Sequence, residues 1–548
     1  MTTSTTSTYP TYPTYPTSSM EASAHRTTAT GMPVPGGELL PDGVERLAAL
    51  SARVRTDIEV TSHRGPWVPR DPSTGNDELL DVVVIGGGQA GLGAAFALSR
   101  EAVDRVLVID DSSDEEIGCW NRYARMHTLR SPKWLKGIEL DVPSLHVRQW
   151  FEAAYGPAAW AEVEFIPRLD WHDYLRWYRW VTGVRIRDRT TVTDVRPPAT
   201  PDGSFTLELT TGSTGSTGST TETVLARRVV FALGLNGAGG PRIPSVITDN
   251  LPKDRWFHTE EEIDFSVLAG RRIAVLGGGS SGFDNAALAL ENGAASATLF
   301  MRRDEIPVHN SLRWMEFPGM QEHFFDLTDA QKWEFSLFNG GLPQPPTQHT
   351  LWRCFGLPGF SLELGQGWDR VALVEAPGAP GGAEIEITTT VDGRPATYRV
   401  DAVIAGTGYE TDLHRRPELR HIVDSVARWK DRFAPAADHP MGACPYLGPG
   451  FGFTPKDATD APWVHRLYHF STGAKASMGL AGHQLSGIYA GIKRLGWGIS
   501  TDITREYWPH LMAEFREFED REVDHIGPFA PGDGWFPGRS VYTTDMAQ

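Results

Sequence analysis

Residues 273–287 read IAVLGGGSSGFDNAA, four apolar residues running into Gly277-x-Gly279-x-x-Gly282 and an alanine-rich helix. This is the turn of a βαβ unit. The first glycine allows the tight bend, the second lets a pyrophosphate approach the backbone, and the third lets helix pack on strand. The same pattern occurs earlier as DVVVIGGGQAGLGAA (81–95), with Gly86-x-Gly88-x-x-Gly91. Two such loops in one chain point to two dinucleotides rather than one.

The residues at the end of the next strand separate the two loops. After the first, a second strand at Val106–Ile109 ends at Asp110, 24 residues beyond Gly86. A carboxylate there suits the hydroxyls of a ribose. After the second, the strand Ala297–Met301 ends at Arg302 and Arg303, with Arg302 25 residues beyond Gly277. Arginine pairs with a ribose 2′-phosphate that an acid would repel, so this loop predicts NADPH. The plainer alternative is that both arginines solvate a strand end. The first loop is then read as the FAD site, held by Gly86, Gly88, Gln89, Ala90, Gly91 and Asp110. The second is read as the NADPH site, held by Gly277, Gly279, Ser280, Ser281, Gly282, Arg302 and Arg303.

Two further buried strands, RVVFALGLNG (228–237) and DAVIAGTGYETDL (401–413), end in small residues and are read as returns into a nucleotide domain. The expected fold class is α/β, with two nested Rossmann-like domains and an additional helical substrate region. Residues 1–75 are expected as a disordered tail and N-terminal extension, because TYPTYPTYP and its Thr/Ser surround cannot bury a core. Residues 76–240 and 401–548 are expected to form the two parts of the FAD domain, the latter with C-terminal helices. Residues 241–400 form the inserted NADPH domain with a substrate-site segment. The run TGSTGSTGSTT (211–221) reads as a flexible hairpin loop.

Composition narrows the class. Of 548 residues 40% are apolar, and no apolar run is long enough to cross a membrane. A formal charge of -18 disfavours nucleic acid and anionic membranes as partners. Three widely separated cysteines, Cys119, Cys354 and Cys444, fit a cytoplasmic protein and leave no close pair for disulfide-reductase chemistry.

The chain resembles the class B flavoprotein monooxygenases over most of residues 80–500. GTGYETDL (406–413) is similar to the family's ATGY junction, which implies cofactor roles for Thr407, Gly408 and Tyr409. WFHTEEEIDF (256–265) resembles the linker that bears a family histidine, here His258. The Baeyer–Villiger pattern F-x-G-x-x-x-H-x-x-x-W meets Pro252, Asp254, His258 and Glu262, so only its histidine survives. The N-hydroxylating branch fits better. IPRLDWHDYLRWYRW (166–180) resembles its R-x-E-F-x-x-Y-x-x-W segment. MHTLRSPKWL (126–135) resembles its flavin-side stretch, implying a substrate-facing Lys133, with Trp120 and His127 beside the cofactor; His127 is equally well a structural histidine. DEIPVHNSLRW (304–314) and GHQLSGIYAGIKRL (482–495) imply Asn310 and Ser486 at the substrate.

The resemblance implies an FAD- and NADPH-dependent monooxygenase that N-hydroxylates an amino acid or small amine with O2 through a flavin C4a-hydroperoxide. No protein nucleophile is required, and homo-oligomerisation is left open. Arg130, Lys133, Arg313 and Arg353 are the cations near the implied site. They would suit a dicarboxylate such as aspartate, oxidised in several rounds to nitrosuccinate in natural-product (antibiotic) biosynthesis. The aromatics Trp314, Phe317, Phe324, Phe325, Trp333, Trp352 and Phe355 would wall the site or belong to the core. The alternatives are an S-oxygenating or Baeyer–Villiger-type enzyme and a non-enzymatic flavin-binding regulator.

Overall fold

Four consecutive apolar residues, Val82–Ile85, leave no polar face, so the segment suits a strand covered on both sides. In the computed structural model, which describes residues 26–63, 65–70, 79–212, 220–482, 484–523 and 527, it is the centre of the first sheet. The Thr-Tyr-Pro repeat and most of the Gly/Ser/Thr run at 211–221 lie outside the described residues. The first forty residues, expected as a tail, already fold from Arg26, which pairs with Val34 in a short antiparallel ladder. A helix comes next, α1 (Gly43–Thr61), burying Leu47, Ser51 and Val54 along one stripe.

The first sheet begins with β1 (Leu80–Ile85), α2 (Gln89–Arg100) and β2 (Val106–Ile109), a βαβ unit in parallel register. A helical excursion, α3 (Val147–Tyr155) and α4 (Arg168–Thr182), then covers α1. Trp177 on α4 donates its indole N–H to Ser51 on α1 at 2.9 Å, satisfying both polar groups in a buried contact. The sheet continues with β3 (Ile186–Arg187), β4 (Thr190–Arg196), β5 (Phe205–Thr211) and β6 (Thr220–Gly234). Strand β6 runs parallel beside β1 and antiparallel beside β5.

The chain leaves through β7 (Gly239–Pro241). A second parallel sheet is then built from β8 (Trp256–His258), β9 (Arg272–Leu276), helix α5 (Ser280–Glu291), β10 (Ser296–Phe300) and β11 (Phe360–Glu363). An antiparallel meander, β12 (Trp368–Glu375), β13 (Ala383–Val391) and β14 (Arg394–Val400), covers one face through Val371, Ile385 and Ile387. Next comes β15 (Ala402–Ala405), which lies between β8 and β9 in this second sheet. The expectation that DAVIAG re-enters the first nucleotide domain is therefore corrected. The return comes afterwards, when β16 (Tyr409–Thr411) pairs antiparallel with β7, and the first sheet gains β17 (Leu467–Ser471) beside β6. The boundary expected at 400 moves to about residue 408 for the same reason.

Buried carboxylates pin equivalent corners of both sheets. Asp81 at β1 takes two hydrogen bonds from Arg105, at 2.7 and 3.1 Å. Asp401, just before β15, takes the same pair from Arg272 on β9, at 2.7 and 3.1 Å. Such two-pronged pairing fixes the register of neighbouring strands as well as their charge. The α/β class with two Rossmann-like sheets is borne out. The chain divides into two compact units, Met1–Asp502 and Ile503–Gln548; the second holds the last turns of the long helix Leu485–Glu517. Among the described residues no helix is long and apolar enough to cross a membrane.

Candidate active site

Each glycine loop bends hard against the end of a neighbouring strand. Gly86 has φ +102°, and a Cβ there would stand 2.6 Å from the carbonyl oxygen of Ala232 at the end of β6. Gly277 has φ +121°, and its Cβ would strike the carbonyl of Gly406 just after β15. Both positions favour glycine twice over, by dihedral and by space. The third glycines pack helix on loop: a Cβ on Gly91 would collide with the Gly86 carbonyl, and one on Gly282 with the Gly277 carbonyl. The bare backbone and the helix N-terminus behind it form the cradle that a pyrophosphate requires.

Asp110 braces the first loop. Its carboxylate accepts from the Gly87 N–H at 2.7 Å and from the Ser112 N–H at 2.9 Å, while still lining the cavity in front of the loop. Burial pushes its pKa up, and these two backbone hydrogen bonds oppose that shift.

That cavity has a volume of about 810 Å3. Its polar end is formed by Gly86, Gly88, Gln89, Ala90 and Asp110, and Trp120 lies along it. Its far end gathers Arg130, Asn310, Glu316 and Ser486 from three distant parts of the chain. A space of this size holds an elongated cofactor with a small molecule beside it. Gln89 is oriented by the indole N–H of Trp171, which donates to its side-chain oxygen at 3.2 Å. Asn310 caps helix α6 (Ser311–Trp314), its side-chain oxygen accepting from the Leu312 N–H at 3.1 Å.

Lys133 is not in this cavity. Its ammonium donates to the carbonyl of Trp160 at 2.5 Å and lies 5.0 Å from the centre of that indole, so hydrogen bonding and cation–π attraction hold it elsewhere. Arg130, three residues earlier, faces the cavity instead. Arg313 lies over the Phe165 ring at 5.9 Å, and Arg353 is bound to Glu291 by two hydrogen bonds at 2.7 and 2.6 Å. Of the four expected cations, only Arg130 lines the cavity. None of the seven expected wall aromatics lines it either. Phe324 and Trp333 are buried elsewhere, and Trp314 and Phe355 are exposed.

A second cavity of about 910 Å3 opens in front of the second loop, lined by Gly277, Gly278, Arg302, Arg303, Arg242 and Thr407 among others. Its concentration of guanidinium groups suits a phosphate. Gly279 caps α5, with nothing within 4 Å of where its Cβ would be. The backbone carbonyl of Ser281 accepts from Asn285 at 2.8 Å, inside the helix. Gly408 and Tyr409 line neither cavity. The Gly408 carbonyl accepts from the Arg242 N–H at 2.9 Å, and the Tyr409 ring meets His258 edge-on at 5.8 Å. They hold the crossing between the two sheets.

A small third cavity, which shares Met126 and Arg130 with the first, is lined by His127, Ser280, Asp284 and Arg353 among others. Partial desolvation and the nearby Arg353 guanidinium push the pKa of the His127 imidazole down, although its side chain still reaches solvent. Asp284 is bonded by the Thr350 hydroxyl at 3.0 Å and lies 3.6 Å from the Arg353 guanidinium, which also donates to the Arg125 carbonyl at 2.8 Å. Ser280 and His127 thus line one small space.

Glu316, Glu260 and Arg242 line the cavities without having been assigned a site role by sequence. Arg242 carried a usable signal, since it sits just after the first sheet's exit strand. Glu260 carried another, lying two residues beyond His258. Burial pushes the Glu260 carboxyl up to about 7, against Arg416, which lowers it. The folded chain therefore keeps a proton that an unfolded chain releases near the ordinary carboxyl range. This site's contribution to stability should fall as pH rises from about 4.5 to about 7 and stay level above that. A Glu260→Gln chain should gain in melting temperature over the native chain across that interval. An equal difference at pH 5 and pH 8 would remove the assignment.

The family profile described as pyridine nucleotide-disulphide oxidoreductase matches residues 83–326. All three cysteines are free, so the likeness lies in the dinucleotide fold rather than in a redox-active pair. The FAD-dependent urate hydroxylase of Xanthomonas campestris pv. campestris is 38% identical over 462 residues, 83% of this chain and 93% of that protein. Among solved structures, an ornithine hydroxylase from Pseudomonas aeruginosa has a TM-score of 0.60 at 16% identity, over 77% of this chain and 99% of its own. The L-lysine 6-monooxygenase of Pseudomonas syringae has a TM-score of 0.56 at 17% identity, over 78% of this chain and 99% of its own. At such identity these two show the shared fold. With two bare glycine cradles, an acid behind one, arginines behind the other and a relative this near over most of its length, the chain belongs to the flavin-dependent monooxygenase family.

Proposed function

We propose that the chain uses FAD, NADPH and O2 to oxygenate a small polar molecule that carries N–H groups on one edge and anionic or carbonyl oxygens on another. The observation that carries this reading is the single cavity that joins the Gly86 loop to Arg130, Asn310, Glu316 and Ser486. The Gly86 loop would hold FAD and the Gly277 loop NADPH, and the pair would supply the reducing equivalents and the oxygen activation. The chain's own residues bind and orient. Arg130 offers donors to the anionic edge, Glu316 offers an acceptor to N–H groups, and Asn310 lines the same cavity. The walls exclude water so that the oxygen reaches the bound molecule. In domain terms, 76–240 with the chain after about 408 would hold FAD, and the intervening segment would hold NADPH.

A heterocycle of the urate kind is the substrate class favoured by the 38% identical relative. It needs no ammonium site and tolerates one cation. N-hydroxylation of an amino acid or amine is the second reading, favoured by the placement of Asn310 and Ser486 at the cavity's far end. Within that reading, aspartate finds only Arg130 of the four expected cations; Arg122 and Arg416 also line the cavity but are paired with Glu262 and Glu418.

The test is NADPH and O2 consumption with urate, L-ornithine, L-lysine and L-aspartate, with mass spectrometry of products and a peroxide assay. The expected result is an oxygenated product from urate with little peroxide. Peroxide alone with every compound would overturn the monooxygenase substrate reading. A hydroxylated amino acid with urate untouched would replace the first substrate class by the second.

A further inference from the structure

We infer that Glu316 selects the substrate, its Oε2 accepting a hydrogen bond from a substrate N–H while Oε1 is held by Ser486. This rests on the cavity being the substrate site proposed above and goes further by naming the group that recognises nitrogen. Glu316 lies two residues beyond α6, whose other end is capped by Asn310, so one helical turn presents both side chains to the same cavity. The Ser486 hydroxyl donates to Oε1 at 3.0 Å, and Ser486 is itself tied through its carbonyl to the side-chain amide of Gln321. One carboxylate oxygen is thereby fixed.

The other oxygen has no ion-pair or hydrogen-bond partner among the described residues. Arg313 is near enough to oppose the rise in pKa that burial imposes on Glu316, but its guanidinium is placed over Phe165. Glu316 is half-buried in the cavity wall, so a ligand that displaces water from this oxygen must supply a donor in its place. Across the same cavity Arg130 can only donate, and one of its guanidinium nitrogens is already given to the Pro345 carbonyl at 2.7 Å. A donor-only and an acceptor-only group facing one space discriminate by hydrogen-bond polarity rather than by shape. A molecule with that polarity reversed would leave both groups unpaired, and buried unpaired groups give the strongest discrimination.

The experiment compares the native chain, Glu316→Gln and Glu316→Asp, each loaded with FAD. Urate and L-ornithine are titrated against the flavin absorbance, and then the mono-N-methyl analogues of whichever probe binds. Glutamine keeps the acceptor for Ser486 but presents N–H in place of the free oxygen. Binding of the accepted probe should weaken about 10- to 100-fold in Glu316→Gln and recover in part in Glu316→Asp. The native chain should reject one N-methyl isomer by about tenfold or more, and Glu316→Gln should lose that preference. Native affinity and native isomer preference in Glu316→Gln would overturn the inference while leaving the substrate site standing. If the native chain binds neither probe, the site reading fails, and this inference falls with it.

Discussion

A Gly91→Ala chain should be recovered without flavin and with a melting temperature well below that of the native chain. The added Cβ would collide with the carbonyl of Gly86 and lie 2.9 Å from its carbonyl carbon, both backbone atoms that cannot swing aside. Relief requires α2 to move off the loop, which costs about 3 kcal/mol and opens the cradle at once. Gly88→Ala provides the contrast. Its Cβ would meet only the Cα of Gly118 at 3.6 Å, an ordinary contact. That chain should melt normally when stripped of flavin yet bind FAD weakly, because the methyl group stands where a pyrophosphate must approach. Absorbance near the flavin band and melting of the stripped chains separate the two effects. Equal flavin content in Gly91→Ala and native chains would mean the first loop is not the cradle.

The second large effect is expected from Arg302→Ala combined with Arg303→Ala. Both residues line the second cavity, with Arg242 as its third guanidinium. The NADPH Michaelis constant should rise about 10- to 100-fold, whereas that for NADH should hardly change. Lysine at both positions should recover part of the preference, since a point charge lacks the guanidinium fork. An unchanged ratio between the two nicotinamide cofactors would place the 2′-phosphate elsewhere, with Arg242 the next guanidinium to replace.

Much of this was legible because glycine loops announce themselves. Gly86, Gly91, Gly277 and Gly282 are constrained by contacts within a few residues or to an adjacent strand, so a short window holds the whole reason. Strand β17 was missed for the opposite reason. LYHFS is buried at every position and is flanked by neither a glycine loop nor an alternating pattern. The segment DAVIAG was recognised as a buried strand, but a parallel strand apolar on both faces fits either sheet. Only the register opposite β8 and β9 decides. Lys133 failed where chain geometry is irregular: between 126 and 135 no period tells which of two cations three residues apart faces inward. Trp160, with its ring and its carbonyl, captured the lysine, and that partner lies 27 residues away.

The paired strands β7 and β16 carry one more consequence. Pro241 stands opposite Tyr409 and Gly239 opposite Thr411, so the points where the chain departs and comes back are neighbours, about 5 Å apart. The span between them leaves and returns through one stem, and from within it Glu316 and Trp333 reach back to Ser486 and Trp429. Any substitute for that span must bring its own counterparts of Asn310 and Glu316 to the first cavity, so the two sites are coupled through the stretch between them.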